Sequence, residues 1–376
     1  MLLTNCQIVG PAGVFPGTLE TSNGTIAVIA GGGTSVPEAI DLDGHFLFPG
    51  CVELHTDNLE KHLQPRGSRW PSLPALLAHD AQVAALGFTT VLNAICIGVD
   101  SDLHGLPRDF VADCILALNL AKSAALLRAD HLLHLRCELP HPETPARLEP
   151  ILANPDLRLV SLMDHTPGQR QVTDLVRLRR GYERMGPVND DWFNHHVQSE
   201  CEKQKKYAGP NRRELVAMLQ DTGIPTASHD DASPDHIAEA QRDGITISEF
   251  PTTLEAAQAA RDVGIQSIMG APNVILGGSQ SGNLSAAEAA RHGLVDALSS
   301  DYAPVSLFHA VFQLARELEI SLHESTSWIS SRPAEMANLT DRGSLAPGKR
   351  ADLVEIALIG DTPCVVRVWR EGKRVA

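Results

Sequence analysis

Apolar, β-branched runs alternate with amphipathic stretches through most of the chain, and eight of these runs carry a strand signature. One closes on His55; the others cover residues 88–94, 131–138, 157–164, 224–229, 245–250, 265–269 and 295–301. Helical segments intervene, among them residues 253–263 and 284–292, with Gly87 and Gly293 where a helix C-terminus favours a residue free to take positive φ. Eight strands, each followed by a crossover, predict an α/β fold with a (β/α)8 TIM-like barrel.

The two ends of the chain lack this rhythm. Residues 1–48 read as short strands broken by Pro, Gly and Asn, and the tail repeats the pattern at 350–356 and 365–375. Together 1–48 and 345–376 predict a small β-sandwich beside a barrel spanning 49–344. Residues 166 to about 212 are too long and too charged for one crossover, with Arg170, Arg177, Arg179, Arg180, Lys203, Lys205, Lys206, Arg212 and Arg213 among them. They predict a helical insertion at the barrel mouth, either a lid or simply a solvated basic face.

Composition narrows the class further. With 43% hydrophobic and 20% charged residues over 376 positions, and no apolar run of the ~18 residues a membrane helix needs, an ordinary globular protein is predicted. A formal charge of −15 argues against general affinity for nucleic acid or an anionic membrane, while leaving room for a small anionic ligand held by local cations or a metal. The first residues show no basic segment ahead of an apolar one, so a cytoplasmic location is expected. Seven scattered cysteines without a C-x-x-C spacing give neither a disulfide framework nor a thiolate zinc site.

The candidate chemistry lies at the ends of the strands, where barrel enzymes keep their reactive residues. His55 and Asp57, two apart in an extended run, share one face. Glu138, His165, His229 and Asp301 close later runs. Each has an ordinary alternative: a hydrogen-bonded strand-end histidine, a helix cap for Asp301, or an ion pair of Glu138 with Arg136. As a set of imidazoles and carboxylates, the six suit one or two divalent ions such as Zn, Mn or Fe. Such ions activate water, and Asp301 is placed to take its proton, so hydrolysis is the predicted reaction class.

Pro49-Gly50-Cys51-Val52-Glu53-Leu54-His55-Thr56-Asp57, the later histidines and aspartate, and Gly348-Lys349-Arg350-Ala351-Asp352-Leu353-Val354 resemble the amidohydrolase superfamily, with Asp57 in place of the second histidine of its His-x-His pattern. More narrowly, His134-Leu135-Arg136-Cys137-Glu138-Leu139-Pro140-His141, Asp164-His165-Thr166-Pro167-Gly168-Gln169-Arg170, Ala227-Ser228-His229-Asp230-Asp231, Glu249-Phe250-Pro251-Thr252-Thr253 and Met269-Gly270-Ala271-Pro272-Asn273 resemble the diphosphatase family of the carbon–phosphorus lyase pathway. That resemblance implies hydrolysis of α-D-ribose 1-methylphosphonate 5-triphosphate to the 5-phosphate and pyrophosphate. It carries the metal-ligand places to His55, Asp57, Glu138, His165, His229 and Asp301, makes His229 and Asp301 the catalytic pair, and sets Glu138 where other members use a carbamylated lysine or a glutamate. By the strand count His165 follows the fourth strand.

A small phosphorylated sugar agrees with the cations near the expected mouth. Lys61 and Arg66 follow the first strand, Arg136 precedes Glu138, and Gln169 and Arg170 follow His165. Asn273 and Ser279, the latter in the Gly-Ser loop 277–283, lie after the seventh strand, where barrels often bind phosphate. These seven are the predicted substrate contacts. Two other readings stay open: C–N bond hydrolysis of a cyclic amide, amidine or N-acyl substrate, and a metal-free barrel acting as a scaffold. A homo-oligomer is compatible with all of them.

Overall fold

The computed structural model describes residues 1–65, 69–99, 110–171, 174–185, 187–278 and 282–376. Five strands open the chain: β1 (Leu2–Gly10), β2 (Gly13–Ser22), β3 (Thr25–Gly31), β4 (Ile40–Asp41) and β5 (Phe46–Pro49). Eight follow in alternation with helices: β6 (Cys51–Thr56), β7 (Phe88–Ile97), β8 (Asp130–Glu138), β9 (Leu157–Met163), β10 (Thr226–His229), β11 (Ile247–Glu249), β12 (Gln266–Gly270) and β13 (Ala297–Ser299). Strands β14 (Leu353–Ile359), β15 (Thr362–Arg370) and β16 (Lys373–Arg374) complete the order.

Strands β6 to β13 pair in sequence order, all parallel. The sheet closes where Thr56 bridges Asp301; there the Asp57 N–H donates to the Asp301 carbonyl and the Asp301 N–H to the His55 carbonyl, both at 3.1 Å. The expected barrel is present, and the eight runs read from the sequence are its eight strands. Their apolar continuity follows from burial on both faces. Val52, Leu54, Leu92, Leu132, Leu159, Ala227, Ile247, Ile268 and Ala297 form one cluster, joined by Met336 at the end of helix Ser331–Met336 and by Leu339 just after it. Val91, Leu133, Leu135, Val160 and Leu162 belong instead to the clusters shared with the surrounding helices.

The two ends of the chain meet in one sheet, ordered β16-β15-β14-β5-β1-β2-β3 with β4 beside β1. Leu3, Ile8, Leu19, Leu47, Leu353 and Trp369 make a core of its own. Val9, Phe48, Val354, Ile356 and Val368 pack into the barrel cluster with Phe88 and Phe308. The Phe48 ring lies 5.5 Å from both Phe308 and Phe312. Gly50 makes the step from β5 to β6, and any Cβ there would lie 2.1 Å from Thr89 Oγ1. Helices Leu175–Met185 and Asp190–Lys203, a π turn at Gln204–Ala208 and helix Gly209–Leu219 fill the interval between β9 and β10. Among the described residues no helix is long and apolar enough to cross a membrane.

An ion cluster ties the start of β8 to the C-terminal segment. Asp130 Oδ2 accepts from Arg342 Nη1 at 2.6 Å and Arg350 Nη1 at 3.1 Å, and Arg342 also donates to Thr90 Oγ1 at 2.9 Å. Burial raises the Asp130 carboxyl, but the two guanidinium groups outweigh it and bring it down to about 2. The stabilisation is therefore complete above the ordinary carboxylate range near pH ~4 and lost as pH falls through it toward 2. Asp130→Asn is expected to lower unfolding free energy by about 1–3 kcal/mol at neutral pH. In urea titrations the gap between variant and wild type should narrow from about pH 4 and close only below about pH 2; a gap undiminished at about pH 2 would remove the charge as its cause.

Candidate metal centre and substrate cavity

Left-handed residues shape the strand ends at the mouth. Asp230 (φ 56°), Phe250 (φ 56°) and Asp301 (φ 50°) follow β10, β11 and β13, and each turns the chain sharply as its strand ends. Asp tolerates this conformation because its short side chain can bond locally; a bulky Phe there is costly and marks a functional end of a strand.

Two groups of side chains converge at these ends, and within each the nearest ligand atoms all lie within 4.8 Å of one another. One is His55, Asp57 and Asp301; the other is His165, His229 and Asp230. In the first, His55 Nε2 is 3.4 Å from Asp57 Oδ1. In the second, Asp230 Oδ2 lies 3.4 Å from His165 Nε2 and 2.9 Å from His229 Nδ1. The His55 and His229 rings, 5.8 Å apart, bring the groups together. Although Asp230 Oδ2 and His229 Nδ1 are close, neither ring nitrogen of His229 nor either carboxylate oxygen of Asp230, all buried, makes a well-aligned hydrogen bond among the described residues. Buried polar atoms left unpaired are uncommon, and this donor set of imidazoles and carboxylates fits a divalent cation.

A third group, His55, His134 and Glu249, lies deeper and is fully buried. Glu249 Oε1 is 2.7 Å from His55 Nδ1 and accepts the hydrogen bond from its N–H, which leaves Nε2 facing Asp57. Ser161 Oγ stands between Glu249 Oε2 at 2.7 Å and His134 Nε2 at 2.6 Å. Burial alone would lower His55, but the Glu249 and Asp57 carboxylates outweigh it and push it up to about 10. Glu53 works from the same strand: its carboxylate accepts from the His55 N–H and the Ser300 N–H, each at 2.8 Å. It thereby fastens β6 to the end of β13, where the backbone ladder is a single bridge.

Five of the six predicted ligands share these groups; Glu138 does not. It ends β8, the third barrel strand, and hydrogen-bonds His165 Nδ1, which turns His165 Nε2 toward Asp230. Glu138 thus reaches this group through His165, and Asp230 is the carboxylate that stands within it. His165 itself stands two residues beyond β9, the fourth barrel strand, as counted.

The cavity beside these groups holds about 500 Å³ and is walled by Asp57, Arg136, Glu138 and His165 on the barrel side. Tyr182, His196 and Lys203 from the 175–203 helices line it opposite. Arg136 donates from Nη1 to Asp57 Oδ1 at 2.8 Å. Burial raises the Asp57 carboxyl, yet Arg136 and His55 hold it well below the usual range.

The other expected substrate contacts fare differently. Arg170 is a correction: it is buried, donates to Asp231 Oδ1 at 2.6 Å and to the His229 carbonyl at 3.0 Å, and so braces the strand end. Asp231, itself fully buried, holds the guanidinium inside and away from the cavity. Lys61 is exposed, its ammonium against the Tyr302 carbonyl and 5.4 Å from that ring's centre. Gln169 is half-buried in a turn with its N–H on the Thr166 carbonyl, and Asn273 sits in helix Pro272–Ile275. Neither is among the described residues lining the cavity. Arg66 and Ser279 lie outside the described residues.

Comparison with known proteins adds to this geometry. A model of the amidohydrolase family matches residues 192–376. The chain is 41% identical over 378 aligned positions to the α-D-ribose 1-methylphosphonate 5-triphosphate diphosphatase of Escherichia coli (strain K12), covering 100% of both. Among solved structures, 5-methylcytosine deaminase from Klebsiella pneumoniae aligns with a TM-score of 0.66 at 14% identity, over 100% of this chain and 98% of that one. N-acetyl-D-glucosamine-6-phosphate deacetylase from Mycobacterium smegmatis aligns at 0.65 and 17% identity, over 100% of both chains. At such identities the two structures speak for the fold alone.

Proposed function

This chain belongs to the amidohydrolase family, and from that premise we infer that it hydrolyses α-D-ribose 1-methylphosphonate 5-triphosphate to the 5-phosphate and pyrophosphate. The observation that carries the reading is 41% identity to the E. coli diphosphatase along 100% of both chains. It is a hydrolase acting on an acid anhydride in phosphonate breakdown, and its family generally works with divalent metal.

The finer assignments rest on the side chains. We assign His55, Asp57 and Asp301 to one ion and His165, His229 and Asp230 to a second, with Zn, Mn or Fe as the metals these donors suit. When bound, such an ion lowers the pKa of water from 15.7 toward roughly 7 and draws charge from a phosphoryl oxygen. Asp301 is the proton acceptor: burial pushes its carboxyl up, which strengthens it as a base. Arg136, on the cavity floor, is aligned to neutralise the phosphoryl group whose bond to the leaving pyrophosphate breaks. Glu249 and Glu138 hold the His55 and His165 rings in one tautomer. The triphosphate of a sugar is a cytoplasmic metabolite, and we assign the chain to that compartment.

Phosphorus NMR of the reaction tests the reading. The expected signals are pyrophosphate and the ribose 5-phosphate product in equal amounts. Stepwise release of orthophosphate, or ammonia from a C–N substrate with the triphosphate left intact, would overturn it. Exhaustive chelation is expected to abolish turnover, and readdition of Zn, Mn or Fe, each tried singly, to restore it; full activity in metal-free enzyme would exclude the ion assignments.

A further inference from the structure

One buried acceptor in the cavity has no part in the reaction as described. Glu60 lies in helix Asn58–Leu63, directly after the metal-ligand strand, and shares the cavity wall with Asp57 and Arg136. Its Oε1 is buried and has no hydrogen-bond partner among the described residues. Its neighbour Asp57, and not Glu60, is the carboxylate that the Arg136 guanidinium holds at 2.8 Å.

A carboxylate oxygen can only accept, and it repels phosphoryl oxygens. A ligand group that pairs with it must therefore bring a proton donor. The substrate inferred above offers few: its phosphoryl, phosphonate and ring oxygens are acceptors at neutral pH, and its donors are the two vicinal hydroxyls of the ribose. A buried acceptor with no protein partner among the described residues is one that such a diol can satisfy directly. We propose that Glu60 accepts hydrogen bonds from the ribose 2- and 3-hydroxyls and so makes the cavity selective for ribosyl triphosphates over triphosphates without that diol. This rests on the substrate reading given under the proposed function.

The measurement is kcat/KM for pyrophosphate release from the ribosyl substrate and from its 2,3-dideoxy analogue, in the metal-loaded wild type, Glu60→Ala and Glu60→Gln. Burial, then the neighbouring Asp57, push the Glu60 carboxyl up to about 7, so the comparison is made at about pH 8.5; hydrogen bonds to the ionised group give an expected wild-type preference for the diol of roughly 10- to 100-fold. In Glu60→Ala that ratio should collapse to within about threefold, and in Glu60→Gln, whose amide oxygen still accepts, it should stand between the two. A general structural fault would depress both substrates together and leave the ratio intact. A preference retained in Glu60→Ala, or absent from the wild type, overturns the proposal. Wild type that releases no pyrophosphate from the ribosyl substrate is a different failure: it removes the reaction itself, and this assignment with it.

Discussion

Asp301→Asn is expected to lower kcat for pyrophosphate release by roughly 10²- to 10⁴-fold, the range that a positioned general base supplies. The substitution keeps the barrel seam, because the seam uses only the backbone of this residue, its N–H to the His55 carbonyl and its carbonyl to the Asp57 N–H. Asn also accepts the left-handed backbone at φ 50°. What it removes is the anionic oxygen that accepts a proton and that is also assigned to the first ion with His55 and Asp57. Steady-state rates of metal-reloaded enzyme, read alongside metal content and thermal melting, separate loss of the base from loss of the ion or of the fold. The melting temperature should move little; a variant that folds normally and turns over within tenfold of wild type would assign the base elsewhere.

The strands of the barrel were legible because each is buried on both faces, which writes an unbroken apolar run into the sequence. The site was legible only where strand alternation holds. His55 and Asp57, two apart on β6, obey it. Asp230 does not: as the immediate neighbour of His229 it should point away, but its φ of 56° turns the chain so that its carboxylate returns to His229 and His165. Nothing in the periodicity announces such a residue. Glu249 was hidden differently, at the end of a three-residue strand beside no other ligand type, and only the closed barrel brings it to His55 from 194 residues away. Its companion signal, the rare left-handed Phe250, exists only in coordinates. Arg170 shows the converse: a cation next to a ligand histidine suggested a phosphate contact, yet the buried Asp231 claims it. Pairing across the barrel decides which charges face the cavity, and that pairing is set by tertiary structure.

Asp230 and Glu138 compete for one role, and their variants should differ in kind. Asp230→Asn keeps the left-handed backbone but replaces a ligand carboxylate by a neutral amide, so both metal content and turnover are expected to fall, the latter by at least roughly 100-fold. Glu138→Gln leaves the His165, His229 and Asp230 atoms in place and loosens only the ring of His165, to whose Nδ1 it is bonded. A partner of that sort is worth about 10- to 100-fold in affinity or activity. Stoichiometric metal with weakened binding is therefore expected in Glu138→Gln, and substoichiometric metal in Asp230→Asn, read by elemental analysis after dialysis against dilute chelator. The reverse order, with metal lost from the Glu138 variant and kept in the Asp230 variant, would return the ligand place to Glu138. The geometry favours Asp230 on a simple ground: an imidazole whose Nδ1 is held by Glu138 has only Nε2 left to give, and that atom faces Asp230 at 3.4 Å.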